Sequence, residues 1–293
     1  MHPKRRPFEA GFPMTYQFIS GLPRSGSTLL AAILAQNPRL RASMSSPVGP
    51  LVQSLSQAMA TRSQWSALID LDQRRRLIRS LFQAYHGEGR GERIVFDTNR
   101  LWCARMPLLA DLFPDARVIA CVRHPQWVIN SFEVLFRKNP LVTSRLFNGD
   151  QGQTVYSRVD ALAAGDGTYG FAVRALKEAC FGEHADRLIL VAYEALTQDP
   201  EGTLRTLYAE LDLPAFDHDF DHIHFDGGDE FDAQFGLPGL HRVESRVRAP
   251  NRRMLLPPEL AMRFANQDFW NRPAPDGPRL RAILAKKVTD DAP

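Results

Sequence analysis

The chain has 293 residues, of which 44% are hydrophobic and 24% charged, with a formal net charge of +3. This is enough for one α/β domain with a full core, and the balance excludes a disordered or fibrous chain. No long basic run interleaved with aromatics points to nucleic acid, and no stretch reaches the roughly 18–20 apolar residues of a membrane span. Arginine dominates the cations, which suits anion sites, because its planar fork matches phosphate and sulfate geometry. Cys103, Cys121 and Cys180 are scattered and odd in number, so a reducing compartment is expected rather than a disulfide framework. Residues 1–13 are basic and contain prolines but lack the apolar core of a signal peptide; a loose tail or tag is expected there, and a cytoplasmic location for the protein.

The first strand is predicted over 16–20, an apolar run that ends at Ser20. Gly21-Leu22-Pro23-Arg24-Ser25-Gly26-Ser27-Thr28 follows, and a helix-competent apolar stretch covers 28–36. In this strand–loop–helix layout, backbone N–H groups and the positive end of the helix converge on an anion. Gly21 and Gly26 stand as in G-x-x-x-x-G-K-[ST], and Thr28 fills the last place. Ser27 stands where the lysine belongs, and the cation is instead Arg24 inside the loop. That exchange argues for an anion other than a Mg-nucleoside triphosphate.

Residues 43–50 are predicted as a loop by their proline and glycine. Helices are expected over 52–60 and 71–85, a short buried strand over 93–97 and a helix over 106–112. A further strand covers 117–122 and leads through Arg123-His124-Pro125 into a helix over 126–136. Residues 138–168 read as an insertion or lid. A helix over 169–181, a strand over 188–193 and a helix over 199–210 opened by Asp199-Pro200 complete the pattern. Strands that are continuous apolar runs, alternating with helices, predict a parallel sheet flanked by helices on both faces. This is a three-layer sandwich of the P-loop NTPase-like α/β class. The domain is expected over 14–273, with 274–293 as a tail. Ligands of such sheets bind at the carboxyl ends of the strands, where Arg24, Asp97, Arg123 and Tyr193 all fall.

Pro23-Arg24-Ser25-Gly26, taken with Arg123 at the end of a second strand and Ser131 eight residues later, resembles the sulfotransferase family. The resemblance covers residues 15 to about 255 and is nearest to bacterial sulfotransferases similar to the protein-tyrosine sulfotransferases. It implies 3′-phosphoadenosine 5′-phosphosulfate (PAPS) as sulfuryl donor and adenosine 3′,5′-bisphosphate as product. It also implies that Arg24, Ser25, Gly26, Ser27 and Thr28 hold the 5′-phosphosulfate, and that Arg123 and Ser131 hold the 3′-phosphate. Tyr193 matches a tyrosine that contacts the cofactor in the relatives, a core tyrosine being the other reading. Leu240-His241-Arg242-Val243-Glu244-Ser245 resembles the segment before their cofactor-capping loop. Arg252 lies near where they place a lysine on the cofactor, with a plain basic surface loop as the alternative. No metal is expected, because arginines and backbone donors supply the positive charge.

The chain departs from the family at the catalytic base. Ser43-Met44-Ser45-Ser46 stands where the tyrosine sulfotransferases carry a glutamate. Asp97-Thr98-Asn99-Arg100 remains, with Asp97 expected as base and Arg100 as charge stabiliser, or Asp97 as a helix cap or turn residue. His218, His222 and His224 among aspartates have no standard metal-site spacing, so a solvated acidic loop is expected. The expected acceptor is a peptide tyrosine or another phenol, with a small-molecule or glycan hydroxyl as the alternative. Two readings from other classes stay open: a kinase or NTPase with an altered loop, in which Asp97 would hold Mg through water, and a non-catalytic nucleotide-binding protein. Neither a nucleic-acid nor a membrane partner is expected, and the oligomeric state is left open, a homodimer included.

Overall fold

Strand alternation sorts the core of this chain into two halves. In the computed structural model, which describes residues 14–60, 64–87, 93–141, 144–225, 228–249, 253–271 and 280–285, β1 (Thr15–Gly21) leads into α1 (Ser27–Leu34). Then come β2 (Leu40–Ala42), α2 (Val48–Ala58), α3 (Leu71–His86) and β3 (Ile94–Thr98). A 3-10 turn (Arg100–Arg105), α4 (Met106–Leu112), β4 (Val118–Val122) and α5 (Pro125–Lys138) follow. The rest comprises α6 (Val155–Ala163), α7 (Thr168–Phe181), β5 (Leu188–Ala192), α8 (Tyr193–Gln198), α9 (Pro200–Glu210), α10 (Asp229–Gln234), α11 (Pro258–Arg263) and β6 (Arg281–Ile283).

The strands form one sheet in the order β2-β3-β1-β4-β5-β6, with every pairing parallel. Because side chains alternate across a strand, Phe18, Val95, Val118, Ala120, Leu188 and Leu190 face one layer of helices. Their neighbours Ile19, Phe96, Ile119, Cys121, Ile189 and Val191 face the other, which holds α1 and α9. The predicted three-layer α/β sandwich is therefore present. Local signals also act as expected: the Asp199 side chain caps α9 by accepting the Gly202 N–H at 3.0 Å.

Three segments differ from the expectation. β2 is three residues long, too short to show a period. β6 lies in the expected tail 274–293 and extends the sheet at its edge beside β5. The expected insertion contains α6, which Arg158 ties to α5 through paired 2.8 Å bonds to the buried carboxylate of Glu133.

Strand order reverses at β1, which lies between β3 and β4. Such a switch point opens a crevice beyond the strand ends. The loops after β1 and β4 border that crevice.

Candidate functional site

The loop between β1 and α1 is shaped by two glycines. Gly21 has φ +102°, and a Cβ there would stand 2.2 Å from the Cys121 carbonyl oxygen of the neighbouring strand. Gly26 has φ +90° and would press a Cβ to 2.7 Å from the Tyr193 ring. Between them Arg24 takes φ +59°, a left-handed backbone that non-glycine residues seldom adopt. The Leu30 N–H to Gly26 carbonyl bond, at 2.9 Å, is the first of α1. The N–H groups of Ser27, Thr28 and Leu29 precede it and have no helical acceptor, so they present a positive pole of the kind that suits an anion.

The Arg24 side chain turns back across the crevice. Its Nε donates to Ser131 Oγ at 3.0 Å and a terminal nitrogen donates to the Leu240 carbonyl. Arg123, only 2% exposed, donates to the Arg24 carbonyl at 3.1 Å and lies over the Tyr193 ring at 4.9 Å. Its Nε and other terminal nitrogen are buried with no acceptor, as are His124 Nδ1 and the Thr98 hydroxyl. The structure thus brings Arg24, Ser25, Gly26, Ser27, Thr28, Arg123, Ser131 and Tyr193 to one end of the sheet. Arg252 falls outside the described residues.

Charge is concentrated here. Burial lowers the Arg24 pKa from its ordinary value, while the charge of Asp232 opposes that shift. Desolvation of the guanidinium also lowers that of Arg100, a residue that keeps surface open to solvent, and the nearby positive charge of Arg24 adds to the effect. Burial lifts the Tyr193 phenol to about 12, with Arg24 pulling the other way. Crowded cations of this kind are relieved by an anion.

Asp97 does not belong to this cluster, which corrects its expected role as base. It is fully buried, on the α3 face of β3. One carboxylate oxygen accepts from Trp102 Nε1 at 2.7 Å and the other bonds His86 Nε2 at 2.8 Å. Both oxygens are committed inside the core. Arg100, just beyond β3, is close enough to Arg24 and His241 for its charge to act on both.

One group at the site carried no role in the sequence reading. His241 Nδ1 donates to Asp232 at 2.5 Å, and Asp232 is fully buried. Asp232 is on α10 and His241 follows in irregular chain, so their separation of nine residues gives no periodic signal. Elsewhere, His222 pairs with Asp219 on the surface and His218 with the Tyr208 hydroxyl. Among the described residues no group of three or more His, Cys, Asp or Glu is arranged to hold a metal ion. All three cysteines are buried and free, and burial lifts the Cys121 thiol to about 12.

Comparison with known proteins is consistent with this geometry. A family model described as the sulfotransferase family matches residues 17–218. Protein-tyrosine sulfotransferase A of Caenorhabditis elegans is 26% identical over 239 residues, covering 80% of this chain and 58% of that protein. Protein-tyrosine sulfotransferase 1 of Danio rerio is 27% identical over 219 residues, covering 71% and 56%. The chain therefore spans little more than half the length of these relatives. Among solved structures, the sulfotransferase domain of the Synechococcus PCC 7002 olefin synthase superposes with a TM-score of 0.47 at 17% identity, covering 94% of this chain and 100% of that one. The sulfotransferase domain of the curacin biosynthetic pathway gives 0.48 at 19%, covering 88% and 98%. The relatives overturn the expected cytoplasmic location, since protein-tyrosine sulfotransferases are Golgi-resident enzymes. Among the described residues no helix is long and apolar enough to cross a membrane.

Proposed function

Because the chain belongs to the sulfotransferase family, we propose that it moves a sulfuryl group from PAPS to an acceptor hydroxyl, a peptide tyrosine being the favoured acceptor. The names of the curated relatives support that choice of acceptor. The observation that carries the donor assignment is Arg123. A guanidinium with two buried, unpartnered nitrogens is costly unless an anion completes it. A 3′-phosphate held by Arg123 and Ser131 would do so, with Tyr193 stacked beneath the guanidinium. The 5′-phosphosulfate would lie on the N–H groups of Ser25 to Thr28 and on Arg24, and Arg252 would serve the 3′ end.

PAPS supplies an activated sulfuryl group on a phosphate that leaves as the transfer proceeds. Arg24 and the first-turn N–H groups of α1 then stabilise the negative charge that grows on that phosphate. Arg100, whose charge acts on Arg24, would add a second cation. Arg24 is anchored on Ser131 and the Leu240 carbonyl before reaction, so it costs little reorganisation when charge develops.

Calorimetry with adenosine 3′,5′-bisphosphate and with Mg-ATP tests the donor site. The bisphosphate is expected to bind with a Kd of about 1 μM and ATP at least about ten-fold more weakly. Arg123→Ala should weaken the bisphosphate by about 100-fold, the loss of charge-assisted bonds to one phosphate, and leave adenosine 5′-phosphate nearly unchanged. A preference for Mg-ATP would instead establish a kinase or NTPase with an altered loop.

A further inference from the structure

An acceptor hydroxyl must give up its proton as it is sulfated, and the buried Asp97 has no free oxygen to receive it. We propose that His241 is the general base for that proton and that Asp232 is its positioning residue, an inference that rests on the sulfotransferase reading above. Asp232 holds His241 twice: one oxygen accepts the backbone N–H of His241 at 2.8 Å, the other the ring Nδ1–H at 2.5 Å. The paired bonds fix both the backbone and the ring. With its proton on Nδ1, the imidazole presents a lone pair at Nε2. That nitrogen has no hydrogen-bond partner among the described residues, and 13% of the side chain is exposed. Phe231 braces the ring edge-on at 5.4 Å.

The location fits the role. Leu240, the preceding residue, accepts from Arg24. His241 is thereby tied to the loop proposed to hold the sulfuryl group. The groups that face the imidazole are Asp232 from α10, Arg24 from the loop and Arg100 from the 3-10 turn. Burial keeps the His241 pKa below the ordinary histidine range, Asp232 opposes that shift, and Arg24 and Arg100 reinforce it. The neutral, proton-accepting form is thus favoured near neutral pH. In the step itself the acceptor O–H bond gives its proton to Nε2 and its electron pair to the new O–S bond. The S–O bond to the donor phosphate breaks, and its pair stays on the phosphate oxygen.

The test uses His241→Asn, whose amide retains a donor for Asp232, with a tyrosine peptide and p-nitrophenol as probe acceptors. The peptide phenol needs a base at neutral pH, whereas a substantial fraction of p-nitrophenol is already ionised there. Turnover of the peptide is expected to fall about 100-fold or more, with p-nitrophenol within several-fold of its original rate. The acid limb of the peptide pH profile should also disappear. Bisphosphate affinity, measured by calorimetry, should stay within about three-fold. Independently of any acceptor, NMR titration of the His241 ring should show its pKa rising by about half a unit or more when adenosine 3′,5′-bisphosphate binds, because the phosphates offset Arg24 and Arg100. If the bisphosphate does not bind the unaltered protein, the sulfotransferase reading fails. If it binds and the His241 ring does not respond, or the variant keeps peptide turnover and its acid limb, His241 is not the base.

Discussion

Asp97 ends an apolar run at the carboxyl edge of the sheet, where a catalytic carboxylate would stand. Pleating decides otherwise. Its register partner is Phe18, which points to the same core half, while Phe96 and Ile19 point to α1. The alternation was readable in the sequence; the two donors that occupy the carboxylate were not, because His86 and Trp102 approach from a helix and a turn. Asp97→Ala should lower the unfolding free energy by about 3 kcal/mol, since it strands two buried groups. Asp97→Asn should cost about 1 kcal/mol or less, because His86 can change tautomer and accept from the amide. Chemical denaturation measures both. A well-folded Asp97→Asn protein with turnover reduced a hundred-fold would return Asp97 to the chemistry. His241 was hidden for a different reason: it lies in irregular chain while its partner sits on the short helix α10, and no period links the two.

At the scale of elements, the loop between β1 and α1 was the most legible part of the chain. Two glycines, a cation and hydroxyls at fixed spacing mark it, and the structure gives both glycines the left-handed backbone that the turn needs. The sequence did not show what each glycine meets. Gly21 abuts the backbone of β4, which cannot yield, whereas Gly26 abuts the Tyr193 ring, which can rotate. Gly26→Ala should therefore cost about 1–2 kcal/mol of stability. It should weaken adenosine 3′,5′-bisphosphate about ten-fold by disturbing the ring under Arg123. Gly21→Ala should be much the less stable variant. Thermal unfolding together with calorimetry separates the two cases, and equal melting losses would contradict this account. β2 and β6 escaped prediction because three residues carry too little pattern to signal a strand.

At the scale of the molecule, the C-terminal third is bound to the body by side chains that grip backbone. Asn130 of α5 donates to the Arg253 carbonyl at 3.1 Å and accepts the Leu255 N–H at 2.7 Å. Gln126 reaches the Ala261 carbonyl at 2.8 Å, and Arg24 reaches Leu240. Such single contacts across loops are invisible to periodicity, so the sheet could be foreseen and its covering segment could not. They also leave that segment with little buried ladder of its own, so it should open more readily than the sheet. Adenosine 3′,5′-bisphosphate is expected to slow amide hydrogen exchange several-fold over 237–243 and 253–256, with β1 and β4 unchanged. Protection confined to the loop at 21–28 would show that the C-terminal third does not respond to the ligand.

The parallel pairing of β1 with β4, in which Gly21 sits opposite Cys121, sets the span between the loop at Arg24 and the guanidinium of Arg123. On the proposed reading this makes the sheet a ruler. It measures the separation of two phosphates across one ribose, and selectivity becomes a matter of length. A nucleotide with all its phosphates at one end satisfies one mark and misses the other, however many charges it carries.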